Sequence, residues 1–438
     1  MVARFRLRVA VVVAAASAAL VLSPATMPFA AGQVPGGTAT PEESSDATPA
    51  YRADASLDSS VTCATARPPY RHLWSRDLGT MAGGPLTVGD RVFAVVNAAG
   101  PDALGPDLRL VGLDARTGKD LWPAKELNGT EANATYGGGL LYTQTMSGLL
   151  TAWNPMSGAV VWHTQLDQVN THWWAYPPTW YKGVLYTQGG STSVTTAVRA
   201  TDGHVLWNTA MRDTGQTPVA VDAQGVWVAH DDITYQLLDP ATGKERRHYN
   251  LPPYFDGGGN TPALAHGDLW LLGNIPIHLT DQVTAFDERT GSKLRSFPAS
   301  STPAFDAGHD YITYQGVLKA LDAKTFATDW TYTSPVGHAT VRLVANGYVY
   351  VEDADGLLLA LDAANGRTAW SVRVAPAPNP NGAINEVPDW MFGYSVPGIG
   401  TAHGRLVVPV GGSLVGFGPA GDVKHAAPVR ITAPPRPR

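Results

Sequence analysis

The stretch Leu110-Val-Gly-Leu-Asp-Ala-Arg-Thr-Gly-Lys-Asp-Leu-Trp122 decides the fold, because the chain repeats it. Copies run Leu150–Trp162, Thr196–Trp207, Gln236–Lys244, Val283–Lys293, Leu318–Trp330 and Leu358–Trp370, with a decayed one at Leu414–Gly421. Each copy reads as two strands around an Asp-X-X-Thr-Gly turn. The aspartate accepts nearby backbone amides and the glycine takes a positive φ. Upstream of nearly every copy stand two more strands on a short turn, as in Ala220–Val228 and Arg342–Tyr350. The unit is therefore four antiparallel strands. Equivalent turn positions fall at 114, 154, 199, 239, 287, 322, 362 and 418, a spacing that suits propeller blades.

The eighth copy stops after its third strand, and His72–Leu78, with Trp74, reads as the missing fourth. Pairing the two closes the ring and removes its free sheet edges. The expected fold is all-β: an eight-bladed β-propeller of four-stranded antiparallel blades, closed by an N-terminal strand. Trp74, Trp122, Trp162, Trp207, Trp330 and Trp370 end their phrases on the outermost strand. A flat indole there wedges between blades with its N–H on a main-chain carbonyl, a structural role. Arg247 and Arg295 stand in that place in copies four and five, which predicts a weaker rim there.

Composition agrees. Charged residues are 16% of the 438, and Gly (46) and Pro (34) are too frequent for a helical bundle. The net charge of −6 and the lack of a dense Lys/Arg run leave no footprint for nucleic acid. The single cysteine, Cys63, excludes an intrachain disulfide and a cysteine-built metal site. Arg4, Arg6 and Arg8 precede an apolar run from Val9 to Leu22, the pattern of a signal peptide. Cleavage after Ala25, Ala30 or Ala31 and retention as an anchor both stay open. Residues 1–31 are thus read as export signal or anchor, and 32–67 as a flexible Pro/Ser/Thr/Gly-rich linker. The propeller is expected over 68–424 and a disordered tail over 425–438.

The phrase Ala-X-Asp-X-X-Thr-Gly-X-X-X-Trp resembles the tryptophan-docking repeat of the quinoprotein (pyrroloquinoline quinone, PQQ) propeller superfamily, over about residues 70–424. That resemblance implies the propeller fold. It leaves open two kinds of activity: calcium- and PQQ-dependent alcohol or sugar dehydrogenases, and non-enzymatic BamB-like members. Many of the alcohol dehydrogenases carry adjacent cysteines, and this chain has no Cys-Cys pair. The acids Glu352, Asp353, Asp355, Asp231, Asp232, Glu386 and Asp389 show no ligand spacing and read as solvated turn residues. His266 and His403 likewise read as solvated turn residues. The resemblance is therefore placed nearer the BamB-like members. No catalytic residue, metal or cofactor is expected; PQQ and calcium belong only to the dehydrogenase alternative, and a polysaccharide-binding or -cleaving propeller is a third.

Loop lengths point to one face. With strands A to D counted from the channel outward, the A–B and C–D turns are short and share a face. The B–C and D–A connections vary, with long ones at 97–109, 273–282, 167–178, 251–260 and 375–398. Variable loops on a rigid scaffold are where function sits. They hold His172, Trp173, Trp174 and Tyr176; Tyr254, Phe255 and Asp256; and Asn385, Glu386, Asp389, Trp390 and Tyr394. These aromatics among polar groups are candidates to bind a protein or cell-envelope ligand, or to plug the channel mouth. An exported monomer, extracellular or envelope-associated, acting as a binding scaffold is the expectation.

Overall fold

The computed structural model describes residues 47–61, 65, 67–81, 84–98, 107–129, 131–168, 176–189, 192–211, 218–229, 234–250, 261–273, 282–353, 356–374, 398–410 and 412–420. They are all-β, with no helix among them. Eight antiparallel sheets follow one another in chain order, each a blade. Blade 2 is typical: Ala132–Gly137, Leu140–Thr145, Leu149–Trp153 and Val160–Gln165 pair in sequence. The last blade is closed as expected. Tyr70–Asp77 is its outer strand, antiparallel to Ser413–Pro419, with Trp74 opposite Gly416.

Each blade contributes to two cores, and period-2 side-chain alternation is the reason. In strand Arg91–Asn97, Phe93 and Val95 join a cluster shared with blade 2, while Val92, Ala94 and Val96 join one shared with blade 8. Strands buried on both faces read as continuous apolar runs, which is why no polar alternation marks them.

The repeated turn does what its sequence predicts. Asp114 Oδ1 accepts the amides of Arg116 and Thr117 and the Thr117 hydroxyl at 2.9–3.0 Å, and Gly118 takes φ +64°. Arg246 and Thr242 grip Asp239 in the same way and hold its carboxyl down at about 2.

The indoles bridge neighbouring blades. Nε1 of Trp74, Trp122, Trp162, Trp207 and Trp330 donates to the carbonyl of Ala115, Pro155, Ala200, Pro240 and Ala363, at 2.8–3.1 Å. Each acceptor lies one residue past the turn position of the next blade. Trp370 instead meets Tyr70 and Phe417 edge-on, at 5.1 and 5.7 Å. A residue without bulk must lie opposite each indole on strand C, and Ala152, Ala197, Ala320 and Ala360 do. This gives the Ala of the repeat its reason.

The rim of blades 4 and 5 differs from the expectation. Tyr249 and Phe297, two residues past Arg247 and Arg295, stack on Trp227 and Trp270 at 6.2 Å, 18° and 19° from parallel. Residues two apart on a strand share a face, so the aromatic has moved along the strand and the rim is not stripped.

The glycine of the turn is a seat for the preceding blade's aromatic. A Cβ added at Gly243 (φ +68°) would lie 2.5 Å from the Trp207 indole, whereas one at Gly183 (φ +84°) meets nothing within 4 Å. Gly183→Ala isolates the backbone cost, about 1–2 kcal/mol. Gly243→Ala adds a clash with a packed ring and is expected to cost about 2 kcal/mol more. Urea unfolding of the two variants reads the difference, and equal losses would remove the seat from the account.

The linker read over 32–67 is corrected for residues 47–61. They run through the channel as a strap bonded to the innermost strands. Thr48 exchanges both backbone bonds with Thr87 at 3.0 Å. Carbonyls of Pro49, Ala55, Ser56, Asp58 and Ser59 accept the amides of Tyr136, Val221, Leu264, Phe305 and Val344 at 2.8–3.2 Å. The Thr48 hydroxyl accepts the amide of Thr401. The strap thereby joins blades 1, 2, 4, 5, 6, 7 and 8. Leu57 is 1% exposed and packs in the core between blades 4 and 5; Ala53 and Val61 pack between blades 7 and 8. Arg52 turns inward, its guanidinium on the carbonyls of Leu57 and Pro303.

Candidate functional site

Of the loop residues singled out, Tyr176 alone is described. It is buried, directly before Pro177 and the inner strand of blade 3, not displayed on an open surface. His172, Trp173, Trp174, Tyr254, Phe255, Asp256, Asn385, Glu386, Asp389, Trp390 and Tyr394 lie outside the described residues. So do Asp231, Asp232 and Asp355. Glu352 and Asp353 are not solvated turn acids. Glu352 pairs with Arg342 Nε at 2.9 Å, and Asp353, 2% exposed, accepts the Tyr332 hydroxyl at 3.1 Å.

On the long-loop side the strap leaves a small void against the described residues. Pro177, Pro85, Asn133, Arg342 and Ile399 meet residues 48–53 around a void of only about 30 Å³. The opposite, short-turn side is different. There the inner strands of blades 1 to 4 end at Val88, Gly137, Tyr181 and Val221; blades 1, 2 and 4 are bonded to the strap, and between these contacts lies a cavity of about 310 Å³. Tyr136, Trp180 and Tyr181 form its aromatic wall; Pro49, Ala50, Asp54, Ala55 and Ser56 form the strap side.

The strap carries two acids: Asp54, exposed and part of the cavity lining, and Asp58, half-buried and outside that lining. Asp54 holds the Ser56 amide at 2.8 Å, and the channel wall around it pushes its carboxyl up to about 6. Asp58, one turn of chain away, is raised well above the ordinary value by burial and by the Asp54 charge.

A second acidic group lies on the short-turn side between blades 4 and 6. Glu288, 4% exposed, is pushed up to about 8 by burial and by Asp222, with which it shares a hydrogen bond. Burial lifts Asp268 to about 6 and the fully buried Asp310 to about 7. His266 stands in the turn as expected and is exposed as a residue, but its ring leans inward, with Nε2 3.5 Å from Asp310, and burial lowers its pKa. His403 is half exposed beside Asp90.

These groups do not fit the cofactors of the dehydrogenase alternative. PQQ is a tricarboxylate and needs cationic partners; among the described residues the cavity wall offers one carboxylate and no Lys, Arg or His. Among the described residues no three acidic, His or Cys side chains gather as a metal would need. Nor is any helix among them long and apolar enough to cross a membrane.

Sequence reasoning missed the strap. A signal was present: Tyr51 to Val61 holds neither Gly nor Pro, after a stretch rich in both and before Pro68-Pro69, and spaces Ala53, Leu57 and Val61 four apart.

Comparison with known proteins agrees with this geometry. The profile of a family described as outer membrane protein assembly factor BamB matches residues 106–261 and 280–428. The chain is 22% identical over 316 residues to the outer membrane protein assembly factor BamB of Moranella endobia, covering 68% of this chain and 59% of that protein. It is 29% identical over 163 residues to the BamB of Nitrosomonas eutropha, covering 35% and 38%. The chain thus spans well under two thirds of these relatives. Among solved structures, BamB from Moraxella catarrhalis superposes with a TM-score of 0.57 at 16% identity, covering 82% of this chain and all of that one. A quinohemoprotein alcohol dehydrogenase from Comamonas testosteroni does so with 0.59 at 14% identity, covering 90% and 84%. Both likenesses speak to the fold alone.

Proposed function

Because the chain belongs to the family of the outer membrane protein assembly factor BamB, we propose that it is a non-enzymatic scaffold of the bacterial cell envelope that binds a protein partner on its long-loop face. The observation that carries this reading is the strap. Its residues Thr48 and Ala50 to Ala53 line only a small void of about 30 Å³ with the described residues of the long-loop side, which favours a ligand held on a surface over one held in a shaft. The aromatic loop residues suit that task, since Trp and Tyr dominate the binding energy of protein interfaces. Export by residues 1–31 brings the chain to the envelope. No cofactor enters the reading.

The test is cross-linked capture from envelope extracts with the full chain. A variant with alanine at Trp173, Trp174, Trp390 and Tyr394 should lose its partner at least tenfold while its melting temperature moves little. Undiminished capture would overturn the proposal. PQQ with Ca²⁺ should give neither a thermal shift nor dye reduction with alcohols; either would restore the dehydrogenase alternative.

A further inference from the structure

The cavity on the short-turn side has chemistry the scaffold reading does not use. It is walled by apolar and aromatic groups: Val88, Tyr136, Trp180, Tyr181 and Val221. At about 310 Å³ it has the size of a small-molecule pocket, and such pockets are apolar spaces oriented by a few polar groups. Here the charged group in the lining is the Asp54 carboxylate, and no lining residue carries a positive charge.

The cations nearby are committed elsewhere. Arg52 is engaged with the carbonyls of Leu57 and Pro303. Lys182 sits over the outer neighbour's ring, its Nζ 4.8 Å from the centre of Tyr181. Asp58, on the same strap but outside the cavity lining, has the Arg52 charge beside it. The Asp54 side chain is solvent-exposed in the cavity lining, where a cation entering the cavity can pair with its carboxylate.

We propose that this cavity binds a small aromatic amine, its ammonium on Asp54 and its ring against Tyr136, Trp180 and Val221. The site is independent of the long-loop face and opens on the other side of the disc. Ammonium on carboxylate fixes orientation, and the ring fills the apolar volume between the ends of the inner strands. The strap that runs through the channel is thus one wall of the pocket.

Isothermal titration of the full chain with tyramine tests it, with tyrosol, the neutral alcohol of the same shape, as the paired probe. Tyramine should bind saturably, and tyrosol at least tenfold more weakly. Asp54→Asn keeps an acceptor for the Ser56 amide, so it should fold, yet lose tyramine tenfold or more and bring the two probes level. Ala55→Leu, which narrows the cavity from the strap side, should weaken both. No binding at millimolar tyramine, equal affinity for the two probes, or an unchanged preference in Asp54→Asn would each overturn the proposal.

Discussion

Replacing residues 47–61 with a glycine–serine stretch of equal length is expected to lower the melting temperature by about 5 °C or more and leave the β signal of the ring intact. Leu57, 1% exposed, leaves a hole between blades 4 and 5, and burial of such a side chain is worth about 1.5–3 kcal/mol. Without the buried Ala53, Leu57 and Val61, the strap carbonyls that accept from the amides of Thr87, Tyr136, Val221, Leu264, Phe305 and Val344 are no longer held in place. Each such bond contributes about 0.5–1.5 kcal/mol net. The blades keep their shared cores and indole bridges, so the ring survives as a looser structure. Hydrogen exchange gives the sharper reading. Those six amides face the channel and should exchange much faster in the replaced chain, while the ladder between Thr196 and Asn208 on blade 3 should not change. Protection retained at all six would show that the strap does not hold them.

The ring was legible because a propeller writes its period into its sequence. Turn aspartate, turn glycine, small residue under the indole and the indole itself recur together, since each exists to fit the others across a blade boundary. Where the indole is lost the partner can change too: Leu237 faces Arg247 in blade 4, where Trp227 with Tyr249 takes over the rim, while blade 5 keeps Ala285 opposite Arg295. A reading that looked only for the indole therefore saw loss where the structure has relocation. The strap was not legible by composition. Ala, Ser, Asp and Thr look like linker residues, and what orders them is a wall of unpaired inner-strand amides built by seven distant blades. Such a wall has no local signature. The raised carboxylates were hidden for the same reason. Asp310 and Glu288 stand in ordinary turn-adjacent positions, and only the approach of neighbouring blades buries them.

Stability should be highest in mild acid and fall as the pH rises to 8. Asp54, Asp268, Asp310 and Glu288 are pushed up to about 6, 6, 7 and 8, so in the fold each prefers to be neutral. A raised acid binds a proton in the folded state that it has already released in the unfolded one. Its stabilising effect is therefore complete below its ordinary value, about 4, and is lost as pH climbs to the folded value. For Glu288 that loss extends to about pH 8. Two groups oppose the trend at the acid end. His266, lowered by burial, disfavours folding once protonated. The turn carboxylates Asp114, Asp239, Asp287 and Asp322, all lowered, lose their grip on the turns below about pH 4. The melting temperature should thus rise by several degrees from pH 8 to about 5.5 and drop again below 4. Glu288→Gln separates the causes. It keeps the shape and a hydrogen bond for Asp222 but carries no charge, so it should raise the melting temperature at pH 8 and leave it unchanged at pH 5. A variant that melts below the parent at pH 8 would mean that the proton Glu288 shares with Asp222 stabilises the junction of blades 4 and 5 by more than the charge costs, overturning the prediction.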